Sequence, residues 1–144
     1  MPDKSPRALI VDDEPDIREL LAITLGRMQI QVATAADFAS AVKQLGAERF
    51  DLVLTDMRLP DGDGLDLVEW IQAHRPGVPV AVITAHGNVE AAVRALKLGA
   101  FDFISKPLDL AALRRLITAT LRRGQSVEAT GRRAQLKLLG DSKP

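Results

Sequence analysis

Five short apolar runs, each followed by a longer stretch with helical spacing, constrain this chain more than any other feature. The runs are Ala8–Val11, Ile30–Ala33, Leu52–Thr55, Val80–Thr84 and Phe101–Ser105. They are β-branched and apolar at successive positions, the pattern of parallel strands buried on both faces. Between them, Pro15–Met28 puts Ile17, Leu20, Leu21 and Leu25 on one stripe, and Pro15 suits a first helical turn. Asp37–Leu45 has Asp37 as its N-cap. Gly64–His74 carries Leu65, Val68 and Ile71 at helical spacing, and Asn88–Leu98 carries Val89, Ala92, Val93 and Leu96 before a stop at Gly99. Asp109–Leu121 carries Leu110, Leu113, Leu116 and Ile117. Strand then helix, repeated along the chain, predicts an α/β fold: a doubly wound parallel sheet of five strands with helices on both faces. In such sheets a ligand site lies beyond the carboxyl ends of the strands, near the topological switch point.

Polar residues collect at those ends. The first run stops at Asp12-Asp13, followed by Glu14; the third at Asp56; the fourth at Thr84; the fifth at Ser105-Lys106-Pro107. Any one of these could be an ordinary strand-end residue, but together they bring acids, a hydroxyl and a lysine to one edge. Carboxylates at close quarters repel unless a cation lies between them, and Mg²⁺ prefers oxygen ligands. Asp13 and Asp56 are read as direct ligands, Asp12 as direct or through water, and the Arg58 carbonyl as a further oxygen. Lys106 can pair with Asp56 or with a phosphoryl oxygen, and Thr84 can donate its hydroxyl to another. Asp56 is then a carboxylate nucleophile towards phosphorus.

Composition removes other classes. The chain of 144 residues has 19 basic and 19 acidic side chains and only 3% aromatics, so neither a basic stripe nor a base-stacking platform is expected. No apolar run approaches the ~18 residues of a membrane span, the N-terminus has no secretory pattern, and no membrane association is expected. There are no cysteines, which excludes disulfides and thiolate metal sites, and the cytoplasm is the expected compartment.

The segments VDDEPDIRELL (11–21), LTDMRLPDGDGL (54–65), ITAHG (83–87) and GAFDFISKPLD (99–109) resemble the receiver domains of bacterial two-component response regulators. The resemblance covers about residues 7–122. It implies a flavodoxin-like, CheY-like (βα)5 form in which Asp56 takes a phosphoryl group from the phosphohistidine of a sensor histidine kinase, with Mg²⁺. It implies that Asp12 and Asp13 are the acid pair, Thr84 and Lys106 the switch hydroxyl and lysine, and Phe103 the switch aromatic, a position where the family often has Tyr. It also implies a cis bond at Lys106-Pro107. Arg58 and His86, two residues after Asp56 and Thr84, fall where the family tunes dephosphorylation. The expected output is altered dimer contact, through the fourth helix, fifth strand and fifth helix or the linker, or release of an attached transcription-activating ATPase module. Such a domain catalyses only its own phosphorylation and dephosphorylation. Within the family, the chain is similar to NtrC-type, sigma-54-dependent activators, including regulators of type IV pilus genes. Residues 123–144 change character, with Gly124-Gln125-Ser126 linker-like and LLGDS similar to the entry of an AAA+ ATPase module, so they read as a linker into an effector.

Other readings weigh less. Asp61-Gly62-Asp63-Gly64 invites a calcium loop, but Leu65, Asp66 and Gln72 stand where that pattern needs an acid or Asn, a Gly and a Glu. The glycines read as turn formers. A small phosphatase with an aspartyl nucleophile would carry a second acid two residues after Asp56, where Arg58 stands. A nucleotide or flavin binder would need a Gly-, Ser- or Thr-rich loop after the first strand, where Asp12-Asp13-Glu14-Pro15 stands. A pseudo-receiver that never takes phosphate is opposed by the complete residue set. Arg114-Arg115, Arg122-Arg123 and Arg132-Arg133 read as solvated faces, Trp70 as partly buried packing, and His74 carries no assigned role.

Overall fold

In the computed structural model, which describes residues 5–122, the alternation of runs becomes a single layered domain. The strands are β1 (Arg7–Val11), β2 (Gln31–Ala35), β3 (Leu52–Asp56), the short β4 (Arg58–Leu59) and β5 (Gly62–Asp63), β6 (Val80–Thr84) and β7 (Asp102–Ser105). The helices are α1 (Pro15–Arg27), α2 (Phe38–Ala47), α3 (Gly64–His74) and α4 (Val89–Leu98), with α5 over 110–122. A parallel sheet runs β2-β1-β3-β6-β7, and β4 and β5 form a separate antiparallel ribbon. From β1 the chain winds outward to β2, then returns to place β3 on the other side. The switch point therefore lies between β1 and β3, as the doubly wound reading requires.

Alternate strand residues serve two cores. Leu9, Val11, Val53, Val80 and Val82 pack under α2, α3 and α4 with Leu45, Leu67, Val68, Ile71 and Ala95. Ala8, Ile10, Leu52, Leu54, Ala81, Ile83 and Ile104 face α1 and α5 with Leu21, Leu25, Leu113, Leu116 and Ile117. The inner strands β3 and β6 are buried at every position. Burial on both faces does not extend to the edges: β2 leaves Gln31 and Thr34 exposed, and β7 exposes Phe103 and Ser105. An edge strand has a neighbour on one side and less helix above it, so its sequence tolerates polar positions. The second strand also begins one residue later and runs two further than its apolar run, because its register follows β1 from Arg7↔Gln31 to Val11↔Ala35.

Helix termini follow local chemistry. Pro15 opens α1, Asp37 caps α2 by accepting from the Ser40 N–H at 2.7 Å, and Asn88 caps α4 through Ala91. Asp109 accepts from the Ala111 and Ala112 N–H groups at the start of α5. Gly99 ends α4 in the left-handed region at φ 116°. The acid-rich loop is used for caps. Asp63 and Asp66 form a reciprocal capping box on α3, and Asp61 reaches across to accept from Phe38 N–H at 2.7 Å and Ala39 N–H at 3.0 Å. Trp70 is half-buried and stacks on His74 with ring centroids 4.3 Å apart.

Candidate functional site

β1 and β3 lie side by side, so the residues that end them meet. Asp12 follows β1 and is fully buried; Asp56 ends β3 and is nearly so. Asp13, one residue on, is exposed at the mouth. One carboxylate oxygen from each of Asp12, Asp13 and Asp56 lies within 4.8 Å of the others. β6 brings Thr84, buried, beside Ser105 of β7, their hydroxyls 3.4 Å apart. The backbone N–H of Lys106 donates to the Thr84 carbonyl at 2.8 Å and carries the lysine to the same edge. The Lys106-Pro107 bond is cis, as the resemblance implied.

The backbone sets Asp56 with care. Its Oδ1 accepts from the Met57 N–H at 2.8 Å, and the Arg58 N–H also favours the ionised carboxylate. Met57 N–H itself donates to the Ile83 carbonyl at 3.2 Å, and the Met57 carbonyl accepts from Gly64 N–H at 2.8 Å. That last bond pulls the start of α3 against the end of β3. A Cβ on Gly64 would fall inside contact distance of the Asp56 carbonyl oxygen and 2.9 Å from Met57 Cα. The sequence reading of Gly64 as a turn former is corrected here: the backbone is not left-handed, and the glycine is required by close approach.

Electrostatics make the cluster unstable as bare anions. Burial, opposed by the Glu14 N–H and augmented by the charge on Asp56, raises the Asp12 carboxyl from 3.8 to about 6. Asp12 Oδ1 accepts from the Glu14 N–H at 2.8 Å, while Oδ2 is buried with no hydrogen-bond partner. Burial also raises Asp56, against the opposing pull of Lys106 and the Met57 and Arg58 N–H groups. An orphaned carboxylate oxygen beside two further carboxylates is a donor set suited to a hard divalent cation.

Lys106 is shared. Its Nζ is 3.6 Å from Asp56 Oδ2 and 3.1 Å from Glu14 Oε2. Burial lowers its pKa, but the Glu14 hydrogen bond and the charges of Asp56 and Asp12 outweigh that, and the net direction is upward. The Asp56 partner was legible in the sequence; the nearer Glu14 partner was not. Arg18 was missed as well: its guanidinium donates to the Asp12 carbonyl at 2.6 Å and anchors the first loop. No motif signals either contact, since both depend on how α1 sits over the strand ends. Arg58 and His86 have exposed side chains, on β4 and in the turn before α4. Phe103 is on the surface of β7, 36% exposed.

Comparison with known proteins adds an independent line. The response regulator receiver domain family matches residues 8–118. The chain is 55% identical over 138 residues to the response regulator protein PilR of Pseudomonas aeruginosa, covering 96% of this chain and 31% of that protein. It is 43% identical over 122 residues to the nitrogen assimilation regulatory protein NtrX of Azorhizobium caulinodans, covering 80% of this chain and 27% of that protein. The chain thus spans about a third or less of these relatives' lengths. Among solved structures, the receiver domain of NtrX from Brucella abortus superposes with a TM-score of 0.77 at 38% identity, over 80% of this chain and 98% of that one. The beryllofluoride-activated NtrC4 receiver domain dimer superposes at 0.78 with 33% identity, over 82% and 98%.

Proposed function

Because the chain belongs to the response regulator receiver domain family, we propose that it is a phosphorylation-controlled switch whose acceptor is Asp56. The observation that carries this is the placement of Asp56 at the switch point, with acid neighbours within 4.8 Å and Lys106 at 3.6 Å. An Asp56 carboxylate oxygen attacks phosphorus, and the bond from phosphorus to the donor nitrogen of a kinase phosphohistidine breaks. The electron pair leaves with the imidazole, and an acyl phosphate remains on Asp56. Asp12, Asp13, Asp56 and the Arg58 carbonyl would hold Mg²⁺, which when bound supplies charge neutralisation for the transferring group. Lys106 takes one phosphoryl oxygen and the Thr84 hydroxyl another. The only chemistry the domain performs is on its own Asp56. Arg58 and His86, exposed beside the acceptor strand and the switch strand, set access of water and so the lifetime of the acyl phosphate.

The switch is local packing. Thr84 turns from Ser105 towards the phosphoryl group, and Phe103 moves from the surface into the vacated space. Phe has no hydroxyl, so its inward rotamer gains burial without a hydrogen bond. The readout is a dimer through α4, β7 and α5, or through the linker. Val89, Val93, Leu96 and Phe103 are 68%, 42%, 41% and 36% exposed, an apolar strip that supports such a contact. By its likeness to NtrC-type regulators the receiver spans 7–122. Residues 123–144, outside the described residues, would lead to an AAA+ module of a sigma-54-dependent activator, as in a pilus gene regulator. No helix of the described residues is long and apolar enough to cross a membrane. By the family likeness, the site of action is the cytoplasm and the partner a sensor histidine kinase.

The test is Mg²⁺-dependent labelling by acetyl phosphate, read by intact mass on the wild type and Asp56→Asn, with sedimentation alongside. A phosphate-sized gain that is lost in the variant is expected, together with a shift towards dimer. No gain in the folded wild type with Mg²⁺ present would make the chain a pseudo-receiver and Asp56 a structural acid.

A further inference from the structure

Glu14 has no part in the acceptor chemistry, yet its carboxylate is the nearer partner of the active-site lysine. Lys106 Nζ donates to Glu14 Oε2 at 3.1 Å and stands 3.6 Å from Asp56 Oδ2. The contact joins residues 92 positions apart, the N-cap of α1 and the turn after β7. The backbone of Glu14 is held, because its N–H donates to Asp12 Oδ1 at 2.8 Å. Its side chain makes no capping hydrogen bond to α1 and is 56% exposed, so the carboxylate is available to the lysine rather than to the helix. The lysine side chain is the more enclosed partner, 28% exposed.

We propose that Glu14 is a positioning residue that shares the Lys106 ammonium with Asp56 in the resting domain, its nearer contact drawing the lysine away from the place where it takes a phosphoryl oxygen. This rests on the acceptor reading of Asp56. The exchange is one charge-assisted hydrogen bond for another: Lys106 has three N–H donors, and a phosphoryl group on Asp56 presents more negative charge than the Glu14 carboxylate it displaces. A partly exposed ion pair biases the lysine by about two- to fivefold, so Glu14 slows capture of the phosphoryl group without blocking it.

The experiment compares Glu14→Gln in the wild-type and Lys106→Met backgrounds, with two readouts. One is the rate of acetyl phosphate labelling with Mg²⁺; the other is the NMR signal of the Lys106 side-chain εCH₂ group, recorded without donor. Expected are a displaced Lys106 signal with those of Lys43 and Lys97 unmoved, labelling about two- to fivefold faster, and no acceleration in the Lys106→Met background. An unmoved Lys106 signal overturns the proposal. So does equal acceleration in both backgrounds, because Glu14 would then act as a charge at the mouth and not through the lysine. If the wild type takes no label, the acceptor reading falls, and the Lys106 signal alone decides whether Glu14 holds the lysine.

Discussion

Replacing Asp12 with Asn is expected to stabilise the metal-free domain at neutral pH. The carboxyl is fully buried, one of its oxygens has no partner, and its pKa is raised from 3.8 to about 6 by burial and by the charge on Asp56. A raised folded-state value means that folding favours the protonated form. The stability this group contributes is fully present below about pH 3.8 and is lost as pH rises through about 6. The difference of about two pH units corresponds to about 3 kcal/mol at 1.36 kcal/mol per unit. Asn keeps the Oδ1 acceptor for the Glu14 N–H but leaves an amide to satisfy, so a net gain of about 1–2 kcal/mol is expected. Urea denaturation in EDTA across a pH series reads it directly. The advantage of Asp12→Asn should be small in acid, open as pH rises towards about 6, and stay level above about 7. Adding Mg²⁺ should stabilise the wild type by mass action and the variant much less, narrowing or reversing the gap. A variant no more stable than wild type at neutral pH in EDTA, or a gap that ignores pH, would refute the account of Asp12 as a strained anion.

Three further perturbations test neighbouring parts of the argument. Gly64→Ala places a methyl against the Asp56 carbonyl and Met57 Cα, and should cost about 1–3 kcal/mol in urea and weaken Mg²⁺ binding as the end of β3 shifts; wild-type stability would show that the loop relaxes freely. Asp61→Ala removes the partner of two N–H groups at the start of α2. It should cost about 1 kcal/mol, with faster hydrogen exchange at Phe38 and Ala39 than elsewhere in the helix. Leu96→Asp puts a charge in the exposed strip of α4; dimer formation after phosphorylation should be lost by sedimentation, while the melting temperature of the monomer changes little, as at other exposed positions.

Where local chemistry sufficed, the sequence was readable. Strand runs apolar on both faces, helical stripes, Pro15, Asp37, Gly99 and Asp109 all act within a few residues, and each stands in the role its local context predicts. The strand boundary that slipped furthest lies at the sheet edge. β2 takes its length from its pairing with β1, so Ala35 became strand although its own side chain carries little strand signal. The two-residue strands β4 and β5 were also invisible, being too short for any period to register.

By itself the sequence determined the order of elements, the two-faced sheet and which acids, hydroxyl and lysine stand at strand ends, because periodicity and capping are properties of neighbouring residues. Tertiary structure alone decided how those ends are wired. Inserting β1 between β2 and β3 buries Asp12 beside Asp56 and leaves one of its oxygens unpaired. Seating α1 over the same edge brings Glu14 to Lys106, and docking α3 beneath β3 makes Gly64 obligatory. These contacts join segments far apart in the chain, and their distances follow from strand order and helix packing, which no local pattern encodes.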